Sequence, residues 1–236
     1  MRTVGNSHSL HILPLLKKLG RECGWEIIHA IHPDYINMPS AFNGQINRIE
    51  EVLRPLRPGD LLILSSRYRH LYKTTYLSAS GDKWVDWHLK REHIDARLNK
   101  WLEELDIILL EAKSKSIQVI LFLPNVEFDV PVMKESMCRG EWFQVSPDGC
   151  NPSVSKEFLY RRFPERLFSE IERRSLNVAN FYVFDPLPVY CQASDFCSRK
   201  VNGVLAFKDT NHLSLQGSLL MLDDFNEFLV ANKLLE

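Results

Sequence analysis

Two short blocks at opposite ends of this 236-residue chain hold the residue types of nucleophilic acyl chemistry: Gly5-Asn6-Ser7-His8-Ser9 and Asp209-Thr210-Asn211-His212-Leu213-Ser214. A hydroxyl is a weak nucleophile until an imidazole takes its proton, and the imidazole works best when a carboxylate fixes its tautomer and stabilises its cation. Ser7, His212 and Asp209 can fill those three roles. Three residues apart in a turn, Asp209 can accept the Nδ1 proton of His212 while Nε2 faces the serine. Each block also has a plainer reading, with Ser7 as the cap of a helix that begins near His8 and Asp209 as a turn residue in a surface loop.

To meet, the two blocks need a scaffold that joins distant parts of the chain. Short apolar runs at Thr3-Val4, Glu26-Ile31, Leu61-Ser65, Gln118-Leu123 and Phe181-Phe184 read as buried strands. Between and after them, Leu10-Leu19, Ile46-Leu53, Trp87-Lys113, Lys156-Arg174 and Leu215-Leu234 carry helical periodicity. Alternation of this kind predicts an α/β fold with a parallel sheet of about five strands and helices on both faces. Ser7 then stands between the first strand and a helix, where backbone N–H groups lie beside its hydroxyl. Its own N–H is a natural donor to the negative oxygen of a tetrahedral intermediate. Gly217 leaves room for close packing where the last helix begins. Pro55, Pro58-Gly59, Pro124 and Pro186-Leu187-Pro188 punctuate strand boundaries. Two segments break the rhythm, Lys73-Asp86 and Asn125-Ser155, and both are expected as loops that wall a site at the carboxyl ends of strands.

The charges nearly cancel, with 29 basic against 30 acidic residues, so no polyanionic partner such as nucleic acid is called for. No stretch approaches the roughly 18 apolar residues needed to span a bilayer, and no apolar signal region opens the chain. The length and the 45% hydrophobic content suit one domain over residues 1–236 with a substantial core. Met1 lies only four residues before Gly5, a short lead-in for a central strand, which suggests a piece of a longer protein or a free-standing relative of an attached domain. Of the five cysteines, Cys23 stands alone. Cys138 and Cys150 flank one loop and Cys191 and Cys197 another, as local disulfide staples would in an oxidising compartment, although buried free thiols remain the alternative.

Taken together, the two end blocks resemble the SGNH (GDSL-like) hydrolase superfamily, with a Gly-Asp-Ser first block and an Asp-x-x-His last block. More closely, those blocks together with Leu61-Leu62-Ile63-Leu64-Ser65-Ser66-Arg67-Tyr68 and Cys138-Arg139-Gly140-Glu141-Trp142-Phe143 resemble the SGNH domain fused to membrane acyltransferase-3 proteins. The resemblance covers nearly the whole chain. It implies a three-layer α/β/α sandwich of flavodoxin-like type, and serine-dependent transfer or hydrolysis of O-acyl groups, acetyl first among them, on cell-surface carbohydrate. It also implies a carbohydrate acceptor, an acyl donor, an acyltransferase-3 membrane domain as partner, and an extracytoplasmic location. Asn6 replaces the family's aspartate, keeping its shape and hydrogen bonding without its charge. No Gly-x-Asn block follows the third strand. Arg67 stands there instead and reads either as an oxyanion or substrate contact or as a strand-end arginine in a surface ion pair. Asn43-Gly44 fits a second oxyanion donor or merely a turn.

Tyr68, Tyr72, Tyr76, Trp84 and Trp87 can stack on sugar rings or belong to the core, and the same two readings apply to Trp142 and Phe143. His8 adjoins Ser7 and His11 lies a helical turn further on, yet no acidic or cysteine partner stands at metal-ligand spacing, so neither a metal nor another cofactor is expected. His70, His88 and His93 read as solvated or packed. Two other functions compete with the acyltransferase or carbohydrate esterase: a non-catalytic carbohydrate-binding or partner-docking domain built on the same fold, and a soluble lipase-like esterase.

Overall fold

The computed structural model describes residues 1–5, 7–30, 46–77, 84–88, 90–128, 150–191 and 194–235, with backbone alone at 30, 46–48, 73–77 and 84–88. Five parallel strands form the central sheet: β1 (Arg2–Gly5), β2 (Ile28–Ala30), β3 (Leu61–Ser65), β6 (Gln118–Phe122) and β8 (Phe181–Phe184). Their order is β2-β1-β3-β6-β8, joined in parallel register such as Val4↔Leu64, Leu64↔Leu121 and Phe122↔Phe184. This is the flavodoxin-like order, and it reverses direction at β1, the strand that leads into Ser7.

Alternate strand residues feed opposite faces, because successive side chains point to opposite sides of a pleated sheet. Leu61, Ile63, Ile120, Phe122 and Phe184 enter one core, against α2 (Leu13–Cys23) and α9 (Leu222–Ala231). Val4, Leu62, Leu64, Val119, Leu121 and Phe181 enter the other, against α3 (Ile46–Leu53), α4 (Arg91–Ser114) and α6 (Leu167–Asn177). The parallel sheet with helices on both faces expected from the strand and helix rhythm is present, and it makes the three-layer sandwich that the resemblance implied. Helices on the two faces bury β3 and β6 most fully, and these strands read as nearly continuous apolar runs.

Several boundaries differ from the periodicity. The segment expected as a loop carries an antiparallel hairpin, β4 (Lys73–Leu77) with β5 (Trp84–His88). Its Thr-Thr-Tyr and Trp-Val-Asp-Trp runs favour strand, so Trp87 belongs to β5 and the long helix starts only at Arg91. The stretch 156–174 divides into α5 (Lys156–Arg161) and α6, because Pro164 lies between them and cannot continue a helical ladder. The last helix divides likewise, into α8 (Leu215–Leu219) and α9, with a turn at 220–221. Gly217 in α8 is required by contact: a Cβ there would meet the Ala206 carbonyl oxygen at 1.9 Å. Three short elements, β7 (Ser153–Ser155), α7 (Leu187–Cys191) and β9 (Phe196–Ser198), and the small hairpin of β10 (Lys200–Val201) with β11 (Val204–Leu205), lead the chain to the second motif. The Cys191–Cys197 disulfide pins α7 to β9. Cys150 is also disulfide-bonded, while Cys138 lies outside the described residues.

Candidate active site

Gly5 ends β1 beside β3, where a Cβ would fall 1.7 Å from the Ser65 carbonyl oxygen, so only glycine allows the two strands this approach. Ser7 follows as the first residue of α1 (Ser7–His11), exposed, with a backbone N–H that precedes the first helical hydrogen bond. The second block reaches it from 205 positions away. Ser7 Oγ lies 3.3 Å from His212 Nε2, and His212 Nδ1 lies 2.7 Å from Asp209 Oδ2. The remaining oxygen, Oδ1, accepts the N–H groups of His212 and Asn211 at 2.8 and 3.1 Å, which fixes the carboxylate in its turn. Burial alone would raise the Asp209 carboxyl; those two N–H donors and the His212 ring outweigh it and hold the group below its ordinary value. Ser214, which caps α8 by accepting the Gly217 N–H at 2.9 Å, anchors the far end of the loop. This arrangement can move a proton from Ser7 to His212 while Asp209 holds the ring's other nitrogen.

Two more histidines complete the surroundings. His8 is buried, and its Nε2 lies 3.4 Å from Asn211 Oδ1. His11, also buried, sets its ring at 90° to that of His212 with centroids 4.5 Å apart. Burial disfavours the charged form, pushing the His8 imidazole down to about 4 and that of His11 to about 2. His70 is pushed down to about 4 for the same reason. A stability effect follows. These groups have folded pKa values below the unfolded one, so between pH 6.5 and about 4 the unfolded chain binds protons that the folded chain refuses, and stability drops as pH falls. Glu104, raised by burial to about 7, and Asp185, also raised by burial, work in the opposite sense over part of that window. The three histidines outnumber them, and a net loss of roughly 2 kcal/mol is expected between pH 6.5 and 5. Urea midpoints across that range measure it; a midpoint that rises on acidification contradicts it.

Arg67, at the end of β3, forms a two-pronged ion pair with Glu127: Nε to Oε1 at 2.7 Å and Nη2 to Oε2 at 2.9 Å. Burial would raise the Glu127 carboxyl, but Arg67 overrides it and holds the group below its ordinary value. The pair is mostly buried, with side-chain exposures of 26% and 13%. Arg67 thus makes an ion pair that is mostly buried rather than on the open surface. Glu127→Gln leaves a half-buried guanidinium without its full partner and is expected to cost about 2 kcal/mol in a denaturation midpoint. A loss below roughly 0.5 kcal/mol contradicts that expectation.

The fold thus brings Ser7, Asp209 and His212 together, with Arg67 two residues past the end of the neighbouring strand β3. Asn6, Asn43 and Gly44 lie outside the described residues, as do Trp142 and Phe143. Tyr68 and Tyr72 belong to the core: Tyr68 donates its hydroxyl to the Phe122 carbonyl at 2.9 Å and packs against Trp101, and Tyr72 packs against Phe163. The residues missed at the site are Glu127, Asn211 and the contacts of His8 and His11. Helical spacing carried a signal for His11, four positions after Ser7; nothing in the sequence pointed to Glu127. Among the described residues no group of histidines, cysteines and carboxylates is arranged to hold a metal ion.

The family model of the SGNH domain fused to AT3 domains matches residues 2–227. The chain belongs to that family. Among solved structures, the periplasmic domain of a lipopolysaccharide acetyltransferase from Salmonella ser. Paratyphi A is similar over 97% of this chain and 83% of its own, at 12% identity and a TM-score of 0.55. A Bacteroides fragilis protein classed as an acylhydrolase is similar over 100% and 87%, at 15% identity and a TM-score of 0.50. A GDSL-like lipase from Bacteroides thetaiotaomicron is similar over 98% and 87%, at 12% identity and a TM-score of 0.49. These likenesses concern the fold. No curated protein sequence matches the chain. Family membership supports acyl transfer or ester hydrolysis as the general chemistry of the site.

Proposed function

We propose that the protein is a serine-dependent O-acyltransferase or esterase acting on cell-surface carbohydrate, with acetyl as the acyl group. The hydrogen-bonded line from Ser7 through His212 to Asp209, at 3.3 and 2.7 Å, is the observation that carries this reading. Ser7 Oγ attacks the carbonyl carbon of the donor ester while its proton passes to His212 Nε2. The tetrahedral intermediate collapses, the bond to the donor oxygen breaks, and Nε2 returns the proton to that oxygen. An acyl-Ser7 ester remains. A sugar hydroxyl or water then gives its proton to Nε2 and attacks the acyl carbon, the bond to Ser7 Oγ breaks, and Nε2 returns the proton to Oγ. Asp209 orients His212 throughout and stabilises its cation. The Ser7 N–H supplies one donor to the developing oxyanion.

The family's coupling to AT3 domains supports an acyl donor delivered by a membrane acyltransferase-3 partner and a site outside the cytoplasm. The Cys191–Cys197 disulfide agrees with an oxidising compartment. Among the described residues no helix is long and apolar enough to cross a membrane. Incubation with p-nitrophenyl acetate and de-O-acetylated bacterial polysaccharide tests the reading, with acetylated sugar and free acetate followed by mass spectrometry and NMR. The expected result is Ser7-dependent appearance of either product. Binding of polysaccharide with no ester consumed would instead favour a non-catalytic docking or carbohydrate-binding module.

A further inference from the structure

We infer that His11 is a positioning residue that sets the plane of the His212 ring, acting from the same helix face that presents Ser7. The inference rests on the proposed assignment of Ser7, Asp209 and His212. Hydrogen bonds at Nδ1 and Nε2 fix two points of an imidazole and resist a tilt about the line between them only through their own angular preference. The lone pair of Nε2 lies in the ring plane, so a tilt swings it away from Ser7 Oγ. A third contact is needed, and His11 provides it, with its ring perpendicular to that of His212 at 4.5 Å. Ser7 and His11 are four residues apart in α1, the spacing that stacks side chains on one helix face. One short helix therefore meets His212 twice, once at its nitrogen and once at its ring.

His8 reinforces the grip from the neighbouring helix position. Its ring lies 5.1 Å from that of His11 and 6.0 Å from that of His212, and its Nε2 meets Asn211, the residue preceding His212. Depressed basicity keeps His11 neutral at working pH, so it adds no like charge when His212 becomes a cation. A cavity with His8, Ser65, Phe122 and Met221 in its lining lies against His11, and a truncated His11 leaves space that joins it.

The test compares wild type, His11→Phe, which keeps a flat ring, and His11→Ala. The readouts are turnover of p-nitrophenyl acetate and the imidazole ¹⁵N shifts of His212. His11→Ala is expected to lower kcat by roughly 10²-fold with KM changed less than about threefold, in keeping with small misplacements of reacting groups. It should also weaken the contact of His212 Nε2 with Ser7 while Asp209 keeps the Nδ1–H tautomer, and so move the Nε2 shift away from its wild-type value. His11→Phe should keep the wild-type Nε2 shift and stay within about threefold of wild-type turnover. If His11→Ala does not fold, His11→Leu fills the volume without a flat ring and carries the same expectation. Wild-type turnover and an unchanged Nε2 shift in the alanine or leucine variant would overturn the inference. So would a folded phenylalanine variant as impaired as the alanine one. Full turnover in Ser7→Ala would overturn the triad assignment instead, a failure distinguishable because the His212 shifts still report on His11.

Discussion

Ser7→Ala is expected to lower ester turnover by about 10⁴ to 10⁶ while leaving the fold intact, the loss typical of removing one member of a serine triad that works as a unit. The side chain is exposed at the start of α1, and the partner of its hydroxyl is His212. Removing one exposed oxygen creates no cavity and strands no buried group, so the denaturation midpoint should move by no more than about 0.5 kcal/mol. The pairing of a large catalytic loss with an unchanged midpoint separates a nucleophile from a helix cap, whose loss would cost stability rather than turnover. Turnover near that of wild type would remove Ser7 from the chemistry.

Asp209→Asn should reduce kcat by about 10⁴, for a reason visible in the hydrogen bonds. Asp209 accepts at both oxygens, taking two backbone N–H groups on Oδ1 and the His212 Nδ1–H on Oδ2. Asparagine has one acceptor and one donor. Keeping its oxygen on the two backbone N–H groups turns its NH₂ toward Nδ1, which forces the ring proton onto Nε2, where it blocks acceptance of the Ser7 proton. Flipping the amide restores the Nδ1 contact and sets NH₂ against two backbone donors. Neither arrangement works. Single-turnover kinetics with an activated ester measure the loss, and a variant within about tenfold of wild type would show that Asp209 does not hold the tautomer.

Among the five central strands, β3 and β6 were plainest, because parallel strands buried on both faces leave apolar runs, as Leu61–Ser65 and Gln118–Phe122 do. The hairpin of β4 and β5 was not, since its polar and aromatic residues satisfy loop and strand patterns alike and pairing with its own partner decides. Pro164 divided a helix whose apolar period ran on through it. At the site, Asp209 and His212 announced themselves by a three-residue spacing. Glu127 carried no such mark, because its pairing with Arg67 joins the segments that follow β3 and β6, residues 60 positions apart, a contact set by topology rather than local pattern. The roles of Tyr68 and Tyr72 also depended on topology: an amphipathic ring suits a sugar or a core, and here the 3₁₀ turn after β3 directs both inward.

The central claim is that acyl transfer passes through a covalent ester on Ser7. Intact-mass spectrometry of wild type and Ser7→Ala after brief incubation with p-nitrophenyl acetate, with nitrophenol release followed in the same samples, tests it directly. One acetyl group on the wild type, mapped to the peptide containing Ser7 and absent from the variant, is the expected result. Folded wild-type protein that acquires no adduct and releases no more nitrophenol than Ser7→Ala would contradict it.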